Sequence, residues 1–212
     1  MKMLKKAAAV LLAAAMSLVM LTACGGGSGS GAGGGIPVSG SYTMETTLVE
    51  NTDGPVTQNI RRYVTSNGTW YYYEQANGTR ASASLSNMKT DEHYVINPTN
   101  NKAWKAESSS AGGEDGNEEV GGKVTATKTS GTWKYKEKTY TTLEVTYTAA
   151  DFTQTVKYCY DGATLAYIET TGKDEGGRYY SLEKVTKYEK AANESKLNPN
   201  NYKLVKSSDD LF

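Results

Sequence analysis
The 212-residue chain is poor in several residue types that carry chemistry: it has two cysteines, one histidine, two phenylalanines and four prolines. Two cysteines permit one disulfide at most. One histidine leaves the usual His/Cys ligand set for zinc incomplete. His93 stands alone, and no Gly-x-Ser-x-Gly element accompanies it as a nucleophile motif. No catalytic constellation is legible, no metal or cofactor is indicated, and the expected protein is not an enzyme. Net charge is also lacking, with 23 basic residues against 23 acidic. Such a balance disfavours a nucleic-acid partner, which needs a basic surface. Beyond residue 36, no window of ten or more residues carries a convincing helical stripe. Ser82 to Thr90 and Glu189 to Lys196 are the best short helical candidates.

One long apolar run is present, Ala7 to Met20, behind Lys2, Lys5 and Lys6. It is too short for easy passage across a hydrocarbon core, which takes roughly 20 residues. Leu21-Thr22-Ala23-Cys24 follows it. A basic start, an apolar middle and small residues at the end form a secretory signal. The cysteine directly after Ala23 makes residues 1–23 a bacterial lipoprotein signal peptide. Cys24 is then the lipidation site, where acyl chains tie the chain to a cell membrane on its extracytoplasmic side. Two acyl chains anchor stably where one is marginal. Removal of Lys2, Lys5 and Lys6 with the signal leaves 20 basic residues against 23 acidic, a net of −3. With Cys24 acylated, Cys159 has no disulfide partner.

Residues 24–35 hold the lipidated cysteine and a linker in which Gly25 to Gly35 is glycine, serine and one alanine. Such composition gives a flexible coil. Residues 36–212 are expected to form one β domain. Tyrosine is abundant there, at 16, and Tyr and Thr suit pleated, half-buried surfaces. From Tyr42 onward the dominant period is two. Strands are predicted near 42–49, 58–66, 69–75, 79–86, 93–97, 102–107, 123–129, 132–136, 139–148, 153–160, 164–171 and 178–188. Asn67-Gly68 and Asn77-Gly78 read as hairpin turns. Asp161-Gly162 separates two of the later strands. Ser108 to Gly122 is an acidic, aperiodic loop. Its Glu114, Asp115, Glu118 and Glu119 lack the spacing of a calcium loop. Many short strands divided by turns predict an all-β fold, or a β-dominated α+β one, with few or no long helices.

Alternation assigns one face to Met44, Leu48, Ile60, Val64, Trp70, Tyr72, Tyr94, Ile96, Leu143, Val145, Tyr147, Val156 and Tyr158. Aromatics of Trp70-Tyr71-Tyr72-Tyr73 fall on both faces. They can fill a core, line an apolar groove or stack sugars.

Three segments carry a resemblance. Val124 to Thr148 reads as two strands and a hairpin. Lys157-Tyr158-Cys159-Tyr160-Asp161-Gly162, with Leu165 and Ile168, reads as strand, Asp turn, Leu and returning strand. Ser195 to Lys203 carries an apolar-x-Pro-x-x-Tyr element, Leu197 to Tyr202. Over roughly residues 40–206 the chain resembles the LolA-like superfamily of envelope lipoproteins and lipoprotein carriers. The resemblance implies a curved antiparallel sheet, an open half-barrel, whose concave face holds something apolar. It departs from the carriers in its scarcity of covering helices and in Ala166, where a Pro often follows the Leu. The leading functional expectation is a non-enzymatic, lipid-anchored envelope protein that binds lipid or acyl chain on the face bearing Trp70, Tyr72, Ile96, Val145 and Tyr147. The alternatives are an interaction or structural module of an envelope complex, favoured if that face is sealed, and a surface glycan-binding lipoprotein.

Overall fold
The structure is a computed structural model that describes residues 40–52, 59–67, 69–87, 89–90, 92–106, 125–148, 153–174 and 177–212. The expected signal peptide, Cys24, the glycine-rich linker and the acidic loop lie outside these residues.

Twelve strands account for most of the described chain. They are β1 (Tyr42–Asn51), β2 (Asn59–Ser66), β3 (Trp70–Asn77), β4 (Arg80–Asn87), β5 (Glu92–Asn97) and β6 (Lys102–Ala106), then β7 (Thr125–Tyr135), β8 (Lys138–Thr148), β9 (Thr153–Asp161), β10 (Thr164–Asp174), β11 (Gly177–Glu189) and β12 (Lys203–Val205). One four-residue helix, α1 (Glu194–Leu197), precedes a 3-10 turn at Pro199–Asn201. The strands form one open sheet in the order β12-β6-β5-β4-β3-β2-β1-β11-β10-β9-β8-β7. The hairpin pairs are antiparallel; β12 joins β6 in parallel. The protein is therefore predominantly β, as alternation and turn chemistry predicted.

Two details differ from the sequence reading. Ser82 to Thr90 is no helix: Ala83, Leu85 and Asn87 point inward on alternate positions of β4. The two strands predicted at 123–129 and 132–136 are one. β7 runs through Ser130 and Gly131 because β8 pairs with it at every position from Thr125 to Tyr135.

The turns show why the hairpins register as they do. Asn77 pairs with Arg80, so the loop residues are Gly78 and Thr79, with φ +59° at Gly78. Asp161 pairs with Thr164, and Gly162 takes φ +60°. A glycine at the first loop position of a two-residue hairpin supplies the positive φ that matches strand twist. At the β7–β8 turn Lys136 holds φ +54° without that freedom. A left-handed backbone costs a non-glycine residue roughly 1–2 kcal/mol. The Lys136 ammonium over the Tyr135 ring, 5.4 Å from its centroid, returns about 0.5 kcal/mol at an exposed site. Lys136→Gly is therefore expected to raise stability by about 0.5–1 kcal/mol. An unchanged or lowered urea midpoint would show the turn to be unstrained.

The chain divides into two compact units, one drawn from Met1–Met44, Arg62–Glu107 and Glu189–Phe212, the other from Glu45–Arg61 and Ser108–Tyr188. The core of the first holds Val64, Tyr72, Ala83, Leu85, Tyr94, Ile96 and Ala103 from the sheet. Leu197 and Tyr202, from the segment after β11, belong to the same cluster, and Trp70 and Ala192 pack against it. That segment is fixed at several points. The Thr43 hydroxyl donates to the Ala191 carbonyl, and the Asn193 N–H donates to that hydroxyl. Further along, the Asn101 amide donates to the Asn201 carbonyl and the Lys203 N–H to the Asn101 carbonyl. Each bond contributes about 1 kcal/mol net.

In the second unit Val145 faces Val156, Leu143 faces Tyr158 and Tyr147 faces Gln154. Leu165 pairs with Tyr160 and Ile168 with Tyr158, across a register shift at Ala166. The extra residue is a β-bulge, and it keeps Leu165 and Ile168 on one face despite their odd spacing.

Candidate functional site
Two side-chain groups and an open pocket in the first unit bring polar side chains together. The first group surrounds Glu74, which is 5% exposed. Alternation along β3 puts Tyr72 and Glu74 on one face, and the Tyr72 hydroxyl donates to a Glu74 oxygen. Arg62 donates to the other oxygen. The Lys196 ammonium lies 3.6 Å from Glu74 and 5.2 Å from the Tyr72 ring centroid. Burial first, then the hydrogen bond and charge of Glu74, push the Tyr72 hydroxyl far above the usual tyrosine pKa. Burial and Glu74 together raise Tyr202 to about 12. A carboxylate with two cations and a phenol held protonated is a structural charge cluster, closed on itself. The second group is Ser86 and His93, cross-strand partners with Oγ and Nδ1 2.8 Å apart. Such pairs stabilise sheets by about 0.2–1 kcal/mol.

The pocket has a volume of about 550 Å³ and is lined by the β2–β3 turn on one side and the α1 segment on the other. Trp70 opens β3 and is half-buried, one part against the core. The turn beside it is set by Asn67 at φ +47°, with the Thr69 N–H bonded to the Ser66 carbonyl at 3.0 Å. Opposite stand Glu194, Leu197, Asn198, Pro199 and Asn200. Pro199 starts the 3-10 turn, where its missing N–H costs nothing, and the Asn198 side chain accepts from the Asn200 N–H at 3.0 Å. The two walls are joined at one point, where the Ser66 hydroxyl donates to Glu194 at 3.0 Å.

The residues singled out from sequence fall in different places. Trp70, Tyr72 and Ile96 share the core of the first unit, but only Trp70 reaches the pocket. Ile96 is fully buried, and Tyr72 is buried beneath the Lys196 ammonium. Val145 and Tyr147 belong to the second unit and are buried there. The Tyr147 hydroxyl and the Gln154 amide nitrogen beside it are buried with no hydrogen-bond partner. Burial pushes Cys159, also in this unit, to about 12, with Glu169 adding to the effect. A thiol so placed is inert at neutral pH. Among the described residues no three His, Cys, Asp or Glu side chains converge on a metal position. Of the residues singled out from sequence, Trp70 lines the pocket, while the residues facing it across the pocket were not among them. The Leu-Asn-Pro-Asn-Asn-Tyr stretch was legible as a motif, yet only folding shows which strand end it faces.

No family model and no curated protein matches the chain. Among solved structures it is similar to the crystal structure of a Vibrio parahaemolyticus domain described as an outer membrane lipoprotein-sorting protein domain. The match has a TM-score of 0.34 and 11% sequence identity, over 76% of this chain and 90% of that one. At those values it assigns neither a family nor an activity.

Proposed function
We propose that the chain is a non-enzymatic, lipid-anchored binding module of the bacterial envelope, tethered through Cys24 and taking its ligand beside Trp70. The anchor is supported by the signal-like residues 1–23 and the glycine linker behind Cys24. The observation that carries the site is the closure of the first unit's apolar face by its own Leu197 and Tyr202. Tyr72 and Ile96 lie under that cover, so an acyl chain stretched along them would have to displace it. A small ligand, or the tip of a partner segment, needs no displacement to sit in the pocket at its margin. This favours the module reading over a long-chain carrier of the LolA-like kind. The buried, unpaired hydroxyl and amide of Tyr147 and Gln154 beside Val145 want a polar partner, which an acyl chain does not supply.

Two measurements test it. Cys24→Ala is expected to release the protein from membranes or to leave it unprocessed. A processed variant that still partitions into detergent would remove the anchor from the proposal. An environment-sensitive apolar dye should bind wild type weakly, and Leu197→Ser should raise its binding as the core face opens. Strong dye binding by wild type, together with co-purified lipid on mass spectrometry, would restore the carrier.

A further inference from the structure
We infer that the Trp70 pocket is a saccharide site, which takes one or two residues of a neutral glycan; this rests on the reading of that pocket as the ligand site. The argument begins with charge. Among its lining residues are Trp70, Asn67, Asn200 and Glu194, and no lysine, arginine or histidine. An anionic ligand such as a phosphate headgroup or an acidic sugar would meet only the Glu194 carboxylate, with no counter-charge. An acyl chain fails for a different reason. It would cover the Asn200 amide and the Thr69 hydroxyl without partners, at a desolvation cost that no new bond offsets.

A neutral sugar meets both requirements. Its ring carries C–H bonds on a face, which pack on an indole, and hydroxyls at the edge, which both donate and accept. Trp70 presents an amphipathic ring with one N–H donor. The side chains of Trp70, Thr69 and Asn200 make no hydrogen bond to another described residue, so their capacity is available. Glu194 already accepts from Ser66 and has a second oxygen for an acceptor role. The pocket, of about 550 Å³, is open to solvent, with Asn67, Glu194, Asn198 and Asn200 exposed at its rim. The indole is held by the core cluster on one side and the Pro199 wall is pinned by the Asn198 bond. A site built this way binds with little ordering cost.

The experiment titrates the full chain in detergent with N,N′-diacetylchitobiose and with cellobiose, followed by tryptophan fluorescence and ligand-observed NMR. Glucuronic acid serves as the charged control. Saturable binding of a neutral disaccharide, at least tenfold weaker in Trp70→Ala, weakened in Asn200→Ala and absent for the charged control, is the expected result. Trp70→Phe keeps a ring in place should Trp70→Ala fold poorly, and it should retain part of the affinity. Equal binding of the acid, or sugar binding indifferent to both Trp70 and Asn200, overturns the inference. If no sugar binds but an apolar probe or peptide does so through Trp70, the saccharide class is wrong and the pocket reading stands. If nothing perturbs Trp70, both fall.

Discussion

Raising the pH from 10 to 12 is expected to unfold this protein steeply. Four tyrosines that are less than a tenth exposed, Tyr72, Tyr147, Tyr160 and Tyr202, all ionise above the ordinary value of 10 in the folded chain. Burial is the main cause in each. Tyr160 and Tyr202 reach about 12, and Tyr72 and Tyr147 go higher. Above pH 10 the unfolded chain releases protons that the folded one keeps. The folded state then binds more protons, so stability falls as pH rises. Each buried tyrosine removes up to about 1.4 kcal/mol per pH unit. Four together remove roughly 4 kcal/mol between pH 10 and 11. Domains have only about 5–15 kcal/mol in total. Two of the four lie in each unit, so neither should survive alone. Tyrosinate absorbance and far-ultraviolet circular dichroism should therefore change together in one late, cooperative step. Smooth titration near pH 10 with an unchanged dichroism spectrum would show these rings to be accessible to water.

Glu183→Ala is expected to cost about 3 kcal/mol or more. Glu183 is 4% exposed within the second unit. One oxygen accepts from the buried Thr46 hydroxyl at 2.6 Å, and the other pairs with the Arg61 guanidinium. Arg61 is itself largely enclosed, at 13% side-chain exposure. Removing the carboxylate strands a cation in a place that water reaches poorly, and breaking a buried pair this way costs more than the pair contributes. Thr46→Val, which removes one neutral donor, should cost about 1–2 kcal/mol. A urea series on the two variants checks both size and order. A loss under about 1 kcal/mol for Glu183→Ala would mean that Arg61 relaxes to solvent.

Strand positions were legible because they depend on neighbours in sequence. The alternation of Tyr42, Met44, Thr46 and Leu48 reads directly as a buried face, and Gly78 and Gly162 mark their turns through a backbone angle that few other residues adopt. The charge clusters were not legible. Arg62 and Glu74 look like ordinary surface charges in a strand until β2 and β3 are neighbours and Lys196 is brought in from far along the chain. The same holds for the cover on the first unit's face. Four helical residues are too few to leave a periodic signal, and Leu197 gains its meaning only from Tyr72 and Leu85 beneath it. Of the proposed ligand residues, Trp70 could be found because aromatics at a strand start are conspicuous. Asn200 could not, because its role depends on which strand end the 3-10 turn meets.

The cover also sets an order of assembly. Ile96 and Leu85 wait for Leu197 and Tyr202, which are made some hundred residues later, after the whole of the second unit. A chain made from its N-terminus thus has the strands of the first unit unsealed, their apolar side bare, until that segment follows. The second unit waits too, since Thr46 meets Glu183 137 residues on. Contacts so distant in sequence slow folding, and during that interval β3 to β6 are open to wrong pairing. A helper that shields extended apolar strands would therefore act on this chain chiefly before residue 197 is made.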